Sequence, residues 1–396
     1  MKYWRGYLVA AIVGAFSLAL MGFAKAHSEL IDIFYPYVTR MIQSFLADWS
    51  STVSFCLWQL IAAILVVGVI ASLVLLVVLR WNPIQLIGWL LAVISIGFFL
   101  HTGIYGLNYY AGPLSDDIRL PNEPYTLEEL EAATAYYRDK ANELSVQVPR
   151  DEAGNLSYPS FETLAEQAGE GFHTLTYDHF MPIFAGSSVP VKKLGWADMY
   201  TSMGITGFTM FLTGEAAVNP QIPVVSLPFT IAHEMAHRMC IAQEQDANMA
   251  AFLACHVHSE VTFQYSAYFM AYRYCYFALA SHSAAAAKRV VADAGEFLQR
   301  DMDFYTQFFN TRQNDTATEI ADTVNDTYIK VSGDESGVAS YGEVCDLLVN
   351  WHIQKIVLPS SVIEKPDFNP LDETQVDLSG LTNAKESYKA DAGNAE

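Results

Sequence analysis

The chain has 396 residues, enough for one large domain or two ordinary ones with a sizeable buried core. Its 22 basic residues against 43 acidic ones leave a net charge of -21, which excludes a nucleic-acid surface, because phosphate binding needs clustered Lys and Arg. The 52% hydrophobic composition points instead to a membrane protein.

Three stretches near the amino end carry no Asp, Glu, Lys or Arg: between Arg5 and Lys25, between Asp48 and Arg80, and between Arg80 and Asp116. Each holds a run of about 20 apolar residues, the length that crosses a hydrocarbon core of roughly 30 Å. "GYLVAAIVGAFSLALMGF", "CLWQLIAAILVVGVIASLVLLVVL" and "IQLIGWLLAVISIGFFLHTGIYG" are the predicted transmembrane helices. The first also reads as a signal peptide, with Lys2 and Arg5 ahead of an apolar stretch and "AKA" before His27; its length favours an uncleaved helix. In both versions the basic amino end stays in the cytoplasm and residue 27 lies outside. Arg80 is then inside, and the chain beyond about residue 107 emerges on the extracytoplasmic face. The expected organisation is a membrane anchor over 1–110, a domain over 111–364, and a polar, disordered tail over 365–396.

After the anchor, Thr126 and Glu129 form a capping box that opens the helical "LEELEAATAYYRDKANEL". A second short helix is expected around "FETLAEQAG". From Val189 to Pro223 the texture turns to Thr, Gly and aromatics, with partial alternation at Ile205, Phe208, Met210 and Leu212. Short strands in an antiparallel hairpin or meander are predicted there. From Leu227 to about Arg300 the pattern is helical. The aromatic stripe "FQYSAYFMAYRYCYFALA" reads as a buried core helix, since a fourth span would put His256, His258, Glu260 and Arg273 into lipid. The five cysteines show no CxxC spacing, so buried free thiols are expected rather than a zinc knuckle or a disulfide framework.

One segment carries chemistry. In "HEMAH", His233 and His237 are one helical turn apart, so both rings project from one face and can reach one ion at about 2.0 Å. Glu234 stands beside them, where a carboxylate can deprotonate a metal-held water, the arrangement used by zinc hydrolases. A third ligand is required. Cys240 and Gln243 occupy the positions where a metzincin would have Gly and His, so that subclass is excluded. Glu244 meets the alternative, a glutamate on a following helix, with Asn248 one turn later as a polar group orienting a ligand histidine. In one straight helix Glu244 would lie about 13 Å along the axis from the two imidazoles, so the chain must turn within "RMCIAQ", which holds neither Gly nor Pro. Asp246 is the competing ligand, while His256 and His258 read as structural histidines.

The amino-terminal anchor, "GFTMFLTGEAAVN", "HEMAHRMCIAQEQDANMAAFLAC" and "NDTYIKVSGDESGVASYGEVCDLL" together resemble a bacterial membrane-protein family catalogued as domain of unknown function 3810. The similarity runs from about His27 to Ile356, and the family looks like the gluzincin-type zincin metallopeptidases. The resemblance implies Zn2+ on His233, His237 and Glu244, with Glu234 as general base. Two residues depart from the family pattern: Cys240 stands where glycine commonly ends the first helix, and Asp246 where glutamate is common.

The expected fold class is therefore α+β and mostly helical, with three transmembrane helices ahead of an extracytoplasmic zincin-like metallopeptidase domain. The expected function is a membrane-anchored zinc peptidase acting on a peptide or protein substrate. Tyr341 and Tyr328 are candidate donors to the oxyanion, and "GITGFTMFL" is a strand that an extended peptide can extend. The rival from another class is an inactive receptor or assembly factor using the same fold to hold a peptide or envelope component. An intramembrane protease is disfavoured, because "VNPQIPVVSLP" feeds "HEMAH" from a proline-bearing loop.

Overall fold

The computed structural model describes residues 4–332 and 340–357. Four long helices come first: α1 (Arg5–Ala26), α2 (Ser28–Ser50), α3 (Leu57–Val78) and α4 (Pro83–Ile104). Of these, α1, α3 and α4 are long and apolar enough to cross a membrane. Then come α5 (Leu114–Asp117), α6 (Leu127–Ser145), α7 (Phe161–Gln167), α8 (Gly169–Tyr177), β1 (Lys192–Lys193), α9 (Ala197–Ser202), β2 (Gly207–Met210) and β3 (Glu215–Val218). The remainder is helical: α10 (Leu227–Arg238), α11 (Glu244–His256), α12 (Val261–His282), α13 (Ala284–Ala292), α14 (Glu296–Arg312), α15 (Asp315–Ser332) and α16 (Ser340–Val357). The tail over 365–396 lies outside the described residues.

Local chemistry accounts for several boundaries. Asn82 accepts from the Ile84 and Gln85 amides to start α4, with Pro83 in its first turn. The capping box of Thr126 and Glu129 is formed in both directions and starts α6. In the membrane segment α1 and α4 pack closely because Gly6 meets Gly88. A Cβ on Gly6 would overlap the Gly88 carbonyl carbon, so this is the small-residue contact that lets membrane helices approach.

Helix α2 differs from the spans around it. One face, with Ile31, Tyr35, Thr39, Arg40, Gln43 and Ala47, is buried. Tyr35 donates to the Thr102 carbonyl, Gln43 to the Phe211 carbonyl, and Arg40 to the carbonyls of Met239 and Pro182. This helix between two spans is thus bonded into the body that follows α4.

The expected antiparallel sheet is in fact mixed. Its order is β1-β3-β2: β2 runs antiparallel to β3, with Phe208 opposite Ala217, whereas β1 runs parallel to β3, with Lys192 opposite Ala217. All four residues of β3 are buried. Glu215 at its start accepts from the Leu57 and Trp58 amides at the first turn of α3 and from Lys192 Nζ at 2.6 Å. A buried ion pair thereby fastens the start of a membrane helix to the sheet, its remaining acceptor positions filled by otherwise unpaired helix amides.

The stripe expected to form a core helix does so. In α12, Phe263, Tyr265, Phe269 and Tyr272 are buried, and the helix packs along α6 and against α10 and α11. All five cysteines are free and buried, as their spacing suggested.

The β2–β3 turn shows how tightly α2 is held. Gly214 has φ 64°, and a Cβ there would stand 2.5 Å from the Ala47 amide nitrogen and 2.6 Å from the Gln43 carbonyl oxygen. Gly214→Ala therefore incurs about 1–2 kcal/mol for a left-handed alanine, and it also pushes α2 off the hairpin. The expected outcome is a lowered unfolding temperature in detergent, with a loss greater than that 1–2 kcal/mol.

Candidate metal centre

Helix α10 is enclosed on every side: His233 is its only residue that is not buried. Four residues after His237 the direction of the chain has reversed. The Cys240 amide donates to the His237 carbonyl (2.9 Å) and the Ile241 amide to the Ala236 carbonyl (3.2 Å), with Cys240 at φ 68°. This is a Schellman end, which satisfies helix carbonyls by placing one residue in the left-handed region. The turn required within "RMCIAQ" exists, but its left-handed residue is a cysteine instead of the usual glycine. Arg40 of α2 reinforces it by donating from Nε to the Met239 carbonyl at 3.0 Å.

The reversal carries α11 back along α10 and brings Glu244 to the two imidazoles. Glu244 Oε2 lies 3.3 Å from His233 Nε2 and 3.5 Å from His237 Nε2. One ligating atom from each of the three residues falls within 4.8 Å of the others. Tetrahedral ligands on an ion with bonds of 2.0–2.1 Å stand about 3.3 Å apart, so both carboxylate–imidazole separations fit a zinc-sized ion. The donor set fits as well. Glu244 Oε2 and His233 Nδ1 are buried without a hydrogen-bond partner, although the carboxylate oxygen faces two ring nitrogens. His237 Nδ1 is 2.9 Å from the Ile241 carbonyl, which can only accept, so Nδ1 carries the proton and Nε2 presents its lone pair inward. The three side chains keep 11–13% of their surface exposed.

Electrostatics within the group are strong. Burial works against the Glu244 carboxylate, but the facing imidazoles of His237 and His233 hold its carboxyl well below the usual range. Burial likewise works against a charged His237, yet Glu244 raises its pKa to about 9. Glu234 is pushed the other way. Burial raises its carboxyl above the ordinary value, against the opposing pull of His233 and His237.

Glu234 is held by the neighbouring strand. Thr209 of β2 donates to Glu234 Oε2 at 2.8 Å, and a Cβ on Gly207 would overlap Oε1. A side chain at 207 would therefore occupy the carboxylate's place. The sequence pattern marked this strand without giving Gly207 and Thr209 a role; the signal was their position in the block just before "HEMAH".

The remaining sequence candidates separate cleanly. Asp246, the rival ligand, turns away and accepts from the Leu114 amide at 2.9 Å, at the start of α5. Asn248 is buried one turn after Glu244, but it does not orient a ligand histidine. Its Oδ1 accepts from Tyr274 at 3.3 Å and its Nδ2 has no partner, while the Ile241 carbonyl orients His237. The partner Asn248 meets is Tyr274 of α12, and the Nδ1 of His237 is already paired with a backbone carbonyl. His256 meets the Tyr268 hydroxyl at 2.9 Å and His258 meets the Gln167 carbonyl at 3.1 Å, so both are structural. Tyr328 packs 6.4 Å from Tyr109 and 5.4 Å from His101, ring to ring. Burial raises the phenols of Tyr328 and Tyr109, and Glu244 lies near enough to add to both shifts. Tyr109 was not singled out from the sequence, though "IYGLNYY" directly after a span was its signal. The side chain of Tyr341 lies outside the described residues.

The chain matches, over residues 32–349, the family described as Protein of unknown function (DUF3810), and it belongs to that family. No curated protein and no solved structure matches it.

The geometry distinguishes the two carboxylates at the start of α11. Glu244→Ala is expected to weaken zinc binding by more than the roughly 10–100-fold typical of outer-shell partners. Asp246→Ala leaves the stoichiometry near that of the parent protein. Metal analysis of detergent-purified protein checks both, and equal zinc in the parent and the Glu244→Ala protein would remove Glu244 from the ligand set.

Proposed function

We propose that this member of the DUF3810 family is a membrane-anchored zinc-dependent metallopeptidase of gluzincin type, hydrolysing peptide bonds on the extracytoplasmic side. One observation carries the reading: His233, His237 and Glu244 converge on a common point, with the buried carboxylate of Glu234 adjacent on the same helix as the histidines. Bound there, zinc would act as a Lewis acid and lower the pKa of a bound water towards 7.

The chain's own groups supply the rest. Glu234 takes a proton from the attacking water and returns it to the leaving amine. Its burial favours that role, since a carboxyl raised above its ordinary value is the stronger base. Thr209 fixes Oε2, so the carboxylate has one orientation towards the centre. Strand β2 is an edge of the sheet, and an extended substrate can pair along it while passing over Glu234. Tyr328, a phenol protonated at neutral pH and raised further by burial, is the described donor candidate for the developing oxyanion.

The orientation rests on charge and connectivity. Three crossings by α1, α3 and α4 would put the body after α4 on the side opposite Arg5 and Arg80, and basic residues favour the cytoplasmic face.

Glu234→Gln separates chemistry from binding. The variant is expected to retain zinc and to lose about 10²–10⁴-fold in peptide hydrolysis, measured on a fluorogenic peptide library with the full-length protein. Unchanged turnover would remove Glu234 as the base. No turnover by zinc-loaded parent protein on any peptide would favour a binding protein that uses the same cage.

A further inference from the structure

Helix α2 has a second face that none of the described residues covers. Ile33, Phe34, Tyr37, Met41, Phe45 and Trp49 recur at helical spacing, with exposures from 46% at Phe34 to 75% at Met41. From Ile33 to Trp49 the stripe runs about 24 Å along the helix, far beyond the isolated apolar side chains that soluble surfaces tolerate. The opposite face is committed to the body through Tyr35, Thr39, Arg40 and Gln43. The helix therefore cannot roll to hide the stripe.

Connectivity says what lies against it. Only His27 separates α2 from α1, and residues 51–56 join it to α3, so both of its ends are tied to helices able to cross a bilayer. Phe23 near the end of α1 and Phe55 before α3 are exposed as well. Tyr37 and Trp49 are the residue types that settle at a membrane–water interface. No Lys or Arg lies on the exposed stripe: the helix's one basic residue, Arg40, faces inward. Asp48, near the stripe, accepts a hydrogen bond from Ser187 of the body at 2.9 Å.

We infer that α2 is an interfacial membrane helix. Its exposed stripe sinks into the boundary between headgroups and acyl chains, and its buried face carries the metal-binding body directly on that surface. Because the stripe lacks basic residues, insertion is driven by apolar area and does not depend on anionic lipid. A second protein chain is the alternative occupant, but it would have to sit between α1 and α3, where connectivity already brings the bilayer. The inference rests on α1 and α3 crossing the membrane and is independent of any peptidase activity.

The test uses the full chain in nanodiscs, with single-cysteine labelling at Met41→Cys and Phe45→Cys. The five native thiols are buried, so an environment-sensitive fluorophore reports on the introduced site. Glu152→Cys, in an exposed loop of the body, is the aqueous reference. Phosphatidylcholine brominated on its acyl chains is expected to quench the labels at 41 and 45 several-fold more strongly than the label at 152, and aqueous iodide to show the reverse order. The result should persist when phosphatidylglycerol replaces a third of the lipid. Iodide access at 41 and 45 equal to that at 152 would overturn the proposal, and so would protection from iodide without bromine quenching, which is the signature of a protein partner. Both substituted positions are exposed, and retention of the parent unfolding temperature verifies that the labelled proteins are folded.

Discussion

The centre depends on one reversal of the chain. Two imidazoles one turn apart form only half of the candidate cage, and Glu244, its third candidate ligand, arrives because α10 stops at Arg238 and α11 starts at Glu244. The stop is made by the left-handed backbone of Cys240. A residue with a Cβ incurs about 1–2 kcal/mol in that conformation, so the turn persists because its surroundings specify it. The surroundings are visible. Arg40 holds the Met239 carbonyl, and the Cys240 side chain packs with Tyr105, Tyr109 and Ala242. Burial pushes the Cys240 thiol up to about 11, so it serves as a packing group rather than as a thiolate ligand or nucleophile.

Several groups on which the turn relies belong to the membrane-proximal part of the chain. Arg40 lies 199 residues before the carbonyl it caps. Tyr105 and Tyr109 come immediately after α4 ends at Ile104. On the other side of the site, Glu215 joins the start of α3 to the strand that pairs with β2, and β2 in turn positions Glu234 through Thr209. The helix that carries His233, Glu234 and His237 is thus tied, at its end by Arg40 of α2 and through β2 and β3 to the start of α3.

How much of this was legible follows from where the information sits. The spans were readable because an uncharged apolar run of about 20 residues is long enough to cross a bilayer and too long for an ordinary buried strand. "HEMAH" was readable because its spacing places two rings on one face. Glu244 followed from asking what a third ligand would need, and it stands within reach of both rings. The helical α2 was missed, since its apolar residues are split between a buried and an exposed face and merge with the runs on either side. The parallel β1 was missed because two residues carry no alternation. The partner of Asn248 was misassigned because sequence spacing gives the height of a side chain on a helix but not the neighbour across from it. Tyr274 comes from α12, 26 residues on. The turn itself had no local signal, because its determinants lie far away in sequence.

That separation alters what the amino-terminal helices are for. A tether would be joined to the body at one point and be dispensable for its geometry. Here, removal of residues 1–110 would strip the cap from the Met239 carbonyl, the packing from Cys240, and the α3 amides from Glu215. It would also leave the Phe211 carbonyl without the Gln43 amide it accepts from and the Cys240 side chain without Thr39 and Asn108. Buried groups stripped in this way cost about 1–3 kcal/mol each, a sum comparable with the net stability of a domain. The His233, His237 and Glu244 group and the amino-terminal helices therefore form one folding unit, in which the reversal after His237 is held in place by groups from those helices.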